Sequence, residues 1–191
     1  IVEFKQRYSE ICAKPVYGVY GSGFVRLRDD VSYFKKYENA TQSNTQQFIE
    51  AYRQQPDPEA YLIMPYLDGQ ECSVDIACSS GKVLSQVTRI KYAFHQECFT
   101  EHPCHQICIK LVQYFQCDGL INIQFKQDHE QQWHILEINA RPAGGFAYTQ
   151  HTGVNLIAEL IAEKLQLNLM REPQQSSVKV LPLSHSIKLD F

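Results

Sequence analysis

The sequence predicts an α+β fold, on three observations. Turn signals at Asp68-Gly69 and Ser79-Ser80-Gly81 separate short apolar-rich strands. Within the strand Glu71 to Cys78 the pattern alternates, with Cys72, Val74 and Ile76 on one face and Glu71, Ser73 and Asp75 on the other. Two apolar series recur at helical spacing: Ile107, Leu111, Tyr114 and Phe115, then Val154, Ile157, Ala158, Ile161 and Leu165. Antiparallel-looking hairpins interleaved with helices imply α+β organisation.

In chain order, residues 4–10 read as a short helix and Ile11–Pro15 as a strand stopped by its proline. Gly18, Gly21 and Gly23 permit a tight reversal into the returning strand Phe24–Leu27. Asp29-Asp30 starts a helix to about Tyr37, and Ser43 or Asn44 starts another to about Gln55. Ala60–Met64 is a strand ended by Pro65, and Glu71–Cys78 and Lys82–Lys91 follow as a pair. On Glu71–Cys78, two carboxylates share a side of the sheet that the core does not need. Pro103 suits the first position of a helix that ends near Asp118-Gly119. Strands at about Leu120–Lys126 and Gln132–Asn139, a helix after Gly144-Gly145 and a last strand, Val178–Pro182, complete the pattern. Internal repeats are absent, and Gln174–Ser177 reads as a loop.

The 191 residues, 44% hydrophobic, suffice for one good-sized core or two small lobes. Charged residues make up 20%, the formal net charge is -3 and no basic run stands out. Nucleic acid and anionic membranes are therefore poor partners, and a small-molecule ligand is expected. With no apolar run near the roughly 20 residues that span a bilayer and no basic segment followed by an apolar one at the N-terminus, a cytoplasmic protein is expected. Cysteines 12, 72, 78, 98, 104, 108 and 117 are odd in number and form no CxxC pair, so they read as reduced, mostly buried thiols. Ile1 stands where an initiator Met would, ahead of helix-like sequence, which reads as a processed chain or a fragment.

Three places carry chemistry. On Gln132–Asn139, Glu137 and Asn139 project from one face; on the preceding strand Asn122 and Gln124 share a face opposite Ile121, Ile123 and Phe125. If Gln124 pairs across from Glu137, the hairpin closes through about four residues near His129 to Gln132, an ordinary length. Gln124, Glu137 and Asn139 then gather hard oxygen donors suited to Mg²⁺, with Arg141 placed to meet a phosphate. A polar, solvated sheet face is the plain alternative. Second, Lys14 beside a glycine loop can hold phosphates, although its spacing is neither a P-loop nor a Rossmann fingerprint; a simple hairpin competes. Third, Met64-Pro65-Tyr66-Leu67 ends a strand whose backbone can meet an adenine edge, with Glu71 in reach of a ribose; an exposed strand edge competes.

His102, Cys104, His105 and Cys108 have metal-ligand chemistry, but Cys104 and Cys108 fall near the apolar stripe of their helix, and packed thiols are the better reading. His151 reads as a helix-start residue, and Cys98 with His95 is a poor nucleophile-base pair.

In this order, Lys14-Pro15 with Gly18, Gly21 and Gly23, the run Tyr66–Asp75, Asn122-Ile123-Gln124-Phe125 and Leu136-Glu137-Ile138-Asn139-Ala140-Arg141-Pro142 resemble the ATP-grasp superfamily over most of the chain. The likeness is greatest to the branch of carbamoyl phosphate synthetase, biotin carboxylase and amino-acid ligases. It implies two α+β subdomains with mainly antiparallel sheets gripping ATP between them: a small one over residues 1–66 with the glycine flap, and a large one over 67–191 with the metal site. It implies Lys14 on the ATP phosphates beneath Gly21 and Gly23, a hinge of Met64, Pro65, Tyr66 and Leu67 around adenine, and Glu71 on the ribose. Gln124, Glu137 and Asn139 would hold Mg²⁺, or Mn²⁺ in its place, with Asn139 also counted in the ATP site. Arg141 would stabilise the transferring phosphoryl group or acyl phosphate. Gly144 and Gly145 would shape the substrate loop, and Arg89 is a further candidate for a phosphate or substrate carboxylate.

Ala140 stands where the family commonly has proline, and Met64 where the hinge often begins with Glu. The activity implied is ATP-dependent joining of a small carboxylate to an amine or thiol through an acyl phosphate, and a homodimer is allowed. Such enzymes usually carry an N-terminal α/β domain and another ATP-contacting Lys ahead of the segment with Lys14, and neither has a counterpart here. A partial ligase is therefore expected, with a non-catalytic ATP-binding or assembly module as the alternative.

Overall fold

A computed structural model describes residues 1–18, 21–32 and 41–183, and the chain divides between Leu67 and Asp68 into two compact units. The first begins with helix α1, Val2–Arg7, which ends where Tyr8 turns extended, sooner than the 4–10 expected. Strand β1, Ile11–Pro15, pairs antiparallel with β2, Val25–Arg28, and with β4, Tyr61–Pro65. A short strand β3, Gln42–Asn44, lies parallel to β2 and gives the order β3-β2-β1-β4. Three residues are too few to show a period, so β3 is invisible in the sequence. Asn44 then caps helix α2, Thr45–Arg53, its side chain accepting from the backbone N–H of Gln46 and Gln47 at 3.0 and 3.2 Å. Alternation along β1 and β2 sends Ile11, Ala13, Val25 and Leu27 into a core closed by Phe4, Phe48, Tyr61 and Ile63. Most of the helix expected from Asp29-Asp30 to Tyr37 lies outside the described residues.

The second unit is a six-stranded sheet ordered β10-β7-β6-β5-β8-β9, with every described pairing antiparallel. Its strands are β5 Glu71–Ser79, β6 Lys82–Lys91, β7 Gln96–Phe99, β8 Gly119–Gln127, β9 Trp133–Asn139 and β10 Ser177–Val180. Helix α3, Cys104–Tyr114, covers one face, where Cys72, Val74 and Ile76 pack with Ile121, Ile123, Phe125 and the helix residues Cys104, Cys108 and Val112. A 3-10 turn, Phe146–Thr152, and helix α4, Leu156–Leu165, pack on the other, where Ala77, Val87 and Cys98 meet Val154 and Leu156.

That second layer corrects the expectation of a spare sheet face, because Asp75 is completely buried. The helical stripes are corrected too. α3 buries Cys104, His105, Cys108 and Val112, leaving Tyr114 and Phe115 exposed; α4 buries Leu156 and Glu159, leaving Ile157, Ile161 and Leu165 exposed. Periodicity reveals that a helix has a face but the neighbours choose its phase: small thiols let α3 sit close to the sheet. No helix among the described residues is long and apolar enough to cross a membrane.

Candidate functional site

The β8–β9 hairpin makes the expected pairing by another route: next to the loop Gln127 pairs with Trp133 and Phe125 with Ile135, a register that would put Gln124 opposite Leu136, and a bulge shifts it by one residue. Gln124 stands opposite Glu137 and Asn122 opposite Asn139, with a bulge between Gln124 and Phe125. Asp128 holds the connecting loop, its carboxylate accepting from the backbone N–H of Glu130 and Gln132 at 2.9 Å each and meeting His134 Nε2 at 2.7 Å. His134 comes first among the causes that keep this carboxyl below the usual carboxylate range. Extended across the sheet, the pairing makes two neighbouring rows: Arg89, Ser73, Gln124 and Glu137 in one, Asp75, Asn122 and Asn139 in the other.

At the β9 end Gln124, Glu137 and Asn139 are half-buried. Asn139 Nδ2 donates to Glu137 Oε1 at 2.9 Å, which fixes the amide with its oxygen as the remaining acceptor. One carboxylate and two amide oxygens on one surface are hard donors of modest charge, and they fit an ion that shares itself with water and phosphate. Arg141 is exposed just past the strand, Nη1 donating to the carbonyl of Pro142 at 3.1 Å. Glu71, exposed at the start of β5, is in register with Lys126.

The other end is closed. Arg89 Nε donates to Asp75 Oδ2 at 2.5 Å, Nη1 to Gln96 Oε1 at 3.0 Å and Nη2 to Ser73 Oγ at 3.3 Å. Arg89, expected at a phosphate or a substrate carboxylate, therefore has internal partners. Burial pushes the Asp75 carboxyl up, while Arg89, Asn122 and the backbone N–H of Ala143 pull the other way. Asn122 Nδ2 donates to Ser73 Oγ at 2.7 Å and Asp75 Oδ1 at 2.9 Å, and Asn122 Oδ1 is buried with no hydrogen-bond partner among the described residues. The sequence assigns Asn122 no role, and its place on the Gln124 face is the one signal that points to it. Through Ala143, and through Gly145, where a Cβ would overlap Arg89 Nη1, this network seats the loop after Arg141.

In the first unit Lys14, half-buried on β1, pairs with Leu62 of β4. Gly23 has φ +75° and lies so close to Pro15 that a Cβ would stand 2.6 Å from Pro15 Cγ, so glycine is required there. Gly21, at φ +69°, faces open space. The hinge segment is more restricted than its sequence suggests. Pro65 has no N–H, and the N–H of Tyr66 donates to the carbonyl of Glu10 at 3.0 Å. Met64 and Pro65 carbonyls accept from Cys12 Sγ at 3.7 and 3.8 Å. Arg26, its Cζ 4.2 Å from the centroid of the Tyr66 ring, is a residue of this region that sequence reasoning passed over.

All seven cysteines are free and six are buried. Cys98 donates to the carbonyl of Tyr148 at 3.6 Å, and burial pushes its thiol up to about 11, which leaves no nucleophile beside His95.

Comparison with solved structures places this architecture. Biotin carboxylase from Campylobacter jejuni is similar at a TM-score of 0.57 and 17% identity, covering 87% of this chain and 39% of that one. The biotin carboxylase domain of the Hydrogenobacter thermophilus 2-oxoglutarate carboxylase, a dimer in complex with MgADP, ADP and bicarbonate, gives 0.58 and 16%, covering 90% and 40%. N5-carboxyaminoimidazole synthetase from Staphylococcus aureus, complexed with ADP, gives 0.58 and 14%, covering 89% and 45%. This chain thus spans less than half the length of each. No curated protein matches it in sequence. The family model described as "ATP-grasp in the biosynthetic pathway with Ter operon" matches residues 57–186, more than half of the 191 residues, and the chain belongs to that ATP-grasp family.

Proposed function

We propose that this chain is the nucleotide-binding part of an ATP- and Mg²⁺-dependent ligase that joins a small carboxylate to an amine or thiol. One observation carries the reading: strand pairing brings Gln124, Glu137 and Asn139 onto a single surface next to Arg141. The MgADP and bicarbonate held by the Hydrogenobacter relative support the same ligand chemistry. In this reading a substrate carboxylate oxygen attacks the γ-phosphorus of ATP and ADP leaves; the amine or thiol then attacks the acyl carbon, and phosphate and a proton are released.

Catalysis of this kind rests on positioning and charge neutralisation. Gln124, Glu137 and Asn139 hold Mg²⁺, which when bound neutralises charge on the phosphates. Arg141 presents a fork of donors to the transferring group. Lys14 holds phosphates beside the Gly21–Gly23 turn. Met64 to Leu67 contact adenine, with the N–H of Leu67 as donor, because Pro65 lacks one and that of Tyr66 is engaged. Glu71 takes the ribose hydroxyls.

The test is ADP release by the full-length protein over a panel of carboxylates with amines or thiols, comparing wild type with Glu137→Ala. Release that collapses in the variant supports the ligase, and release that is unchanged sinks it. Tight Mg-ATP binding in calorimetry with no turnover across the panel would identify a nucleotide-binding or assembly module instead.

A further inference from the structure

On the face of the large sheet opposite the nucleotide-site residues lies a second group of ligand-type side chains, which the ligase reading does not use. Cys72 projects from β5 into the core beneath α3; Cys104 is the first residue of α3 and His102 precedes it by two. One ligand atom from each of the three lies within 4.8 Å of the other two. The two sulfurs are 3.8 Å apart. Sulfurs bound about 2.3 Å from one tetrahedral ion stand roughly 3.8 Å from each other, so the pair already has the spacing of two ligands to one ion. His102 Nδ1 accepts from the backbone N–H of Cys104 at 3.3 Å, a long bond that a metal can replace. Its ring is held edge-on by Trp133 at 5.1 Å between centroids.

We propose that Cys72, His102 and Cys104 form a three-ligand site for a soft divalent cation of the zinc class. Two thiolates and a neutral imidazole around such an ion sum to zero charge, so the core receives no uncompensated charge. Sulfur and imidazole ligands also exclude the hard cations that suit the oxygens of Gln124 and Glu137. Binding forms two metal–sulfur bonds and releases the two thiol protons. Cys72 and Cys104 are buried while His102 is half-buried, and His102 lines a shallow cleft of about 440 Å³ with Glu101, Pro103, His105 and Gln106. The fourth coordination position lies on that side, open to water or an external ligand. The set differs from the one the helix sequence suggests: His105 Nε2 is engaged by Thr88 Oγ1 at 2.8 Å and Cys108 lies one turn further along, while Cys72 arrives from a distant strand.

Cobalt(II) is the probe. The reduced full-length chain, titrated with Co²⁺, is expected to bind one ion with sulfur-to-cobalt charge-transfer absorption and the visible bands of a tetrahedral site, both removed by one equivalent of Zn²⁺. Cys72→Ser and Cys104→Ser abolish the charge-transfer absorption; Cys98→Ser and Cys117→Ser retain it. His102→Gln, which spares the core, keeps the fold by circular dichroism and weakens Co²⁺ binding at least about tenfold. If the serine variants fail to fold, His102→Gln decides. No charge-transfer absorption in the folded wild-type chain, or unchanged Co²⁺ affinity in His102→Gln, overturns the proposal.

Discussion

The two polar rows that cross the large sheet use similar side chains at both ends, yet the ends differ in kind. Toward β6 and β5, Arg89 is 7% exposed and Asp75 fully buried, and both are bound to protein partners. Toward β9, an edge strand, Gln124, Glu137 and Asn139 stay half-buried. Strand order accounts for the contrast. Central strands lie under the loop pinned by Ala143 and Gly145, so their polar groups must be satisfied internally. Among the described residues β9 has a strand on one side only, so the polar groups at this end keep contact with solvent. The central end is therefore a foundation, and the edge end carries the proposed site.

Breaking the foundation should have the largest effect on stability. Arg89→Met leaves Asp75 buried beside Asn122 and Ala143 without its cation, and removing one partner of a buried pair costs about 3–5 kcal/mol. Urea unfolding followed by Trp133, which lies in this unit, measures it. Asp75→Leu combined with Arg89→Met should recover most of the loss, because no buried charge is left unpaired. A single variant as stable as wild type would mean that the pair is not structural.

Gly145→Ala tests the join between foundation and site. Gly145 has φ -94°, which alanine adopts without strain, so the cost is steric: overlap with Arg89 Nη1 and tight contact with Arg89 Cζ and Gln96 Oε1. Overpacking of this kind costs about 1–3 kcal/mol, less than losing the pair because a guanidinium end can shift. Its thermal midpoint should fall, and ADP release should fall with it as the loop after Arg141 moves.

Glu137→Gln should sharpen the comparison by the smallness of its effect. The amide oxygen still accepts from Asn139 Nδ2, so stability should stay within about 0.5 kcal/mol of wild type, while Mg²⁺-dependent nucleotide binding in calorimetry falls severely. A large loss of stability would make the edge end structural as well and erase the distinction.

How much of this was legible in the sequence follows from what each feature depends on. The shared faces of Asn122 with Gln124 and of Glu137 with Asn139 are local, because alternation along each strand assigns them, whereas the bulge between Gln124 and Phe125 that sets Gln124 opposite Glu137 has no mark in either strand's pattern. Pro15 and Asn44 likewise mark ends in the chain that carries them. What was hidden depends on distant residues. Asp75 looked dispensable to the core because nothing local reveals the turn, helix and loop that cover its face. Tyr114 and Ile157 matched a helical period, but their neighbours set the phase and left both exposed. Cys72 and Cys104 touch through folding alone, 32 residues apart. Arg89 was visible as a cation, and its commitment to Asp75 and Gln96 was not.

The smallest expected effect lies in the loop that closes the β8–β9 hairpin. Asp128 accepts two backbone N–H bonds and one from His134, and its pKa is depressed chiefly by His134 and then by the N–H of Gln132. A depressed folded-state pKa means stability that is present above the ordinary carboxylate range and lost as pH falls through the lowered value. The stability difference between wild type and Asp128→Ala should therefore be constant at neutral and mildly acidic pH and shrink below the ordinary carboxylate range. Asp128→Asn keeps an acceptor for the turn and should lie between the two. Urea unfolding over a pH series, with amide exchange at Gln124 and Glu137 as a local readout, follows the loss. A difference that persists undiminished in strong acid would show that the carboxylate does not hold the turn.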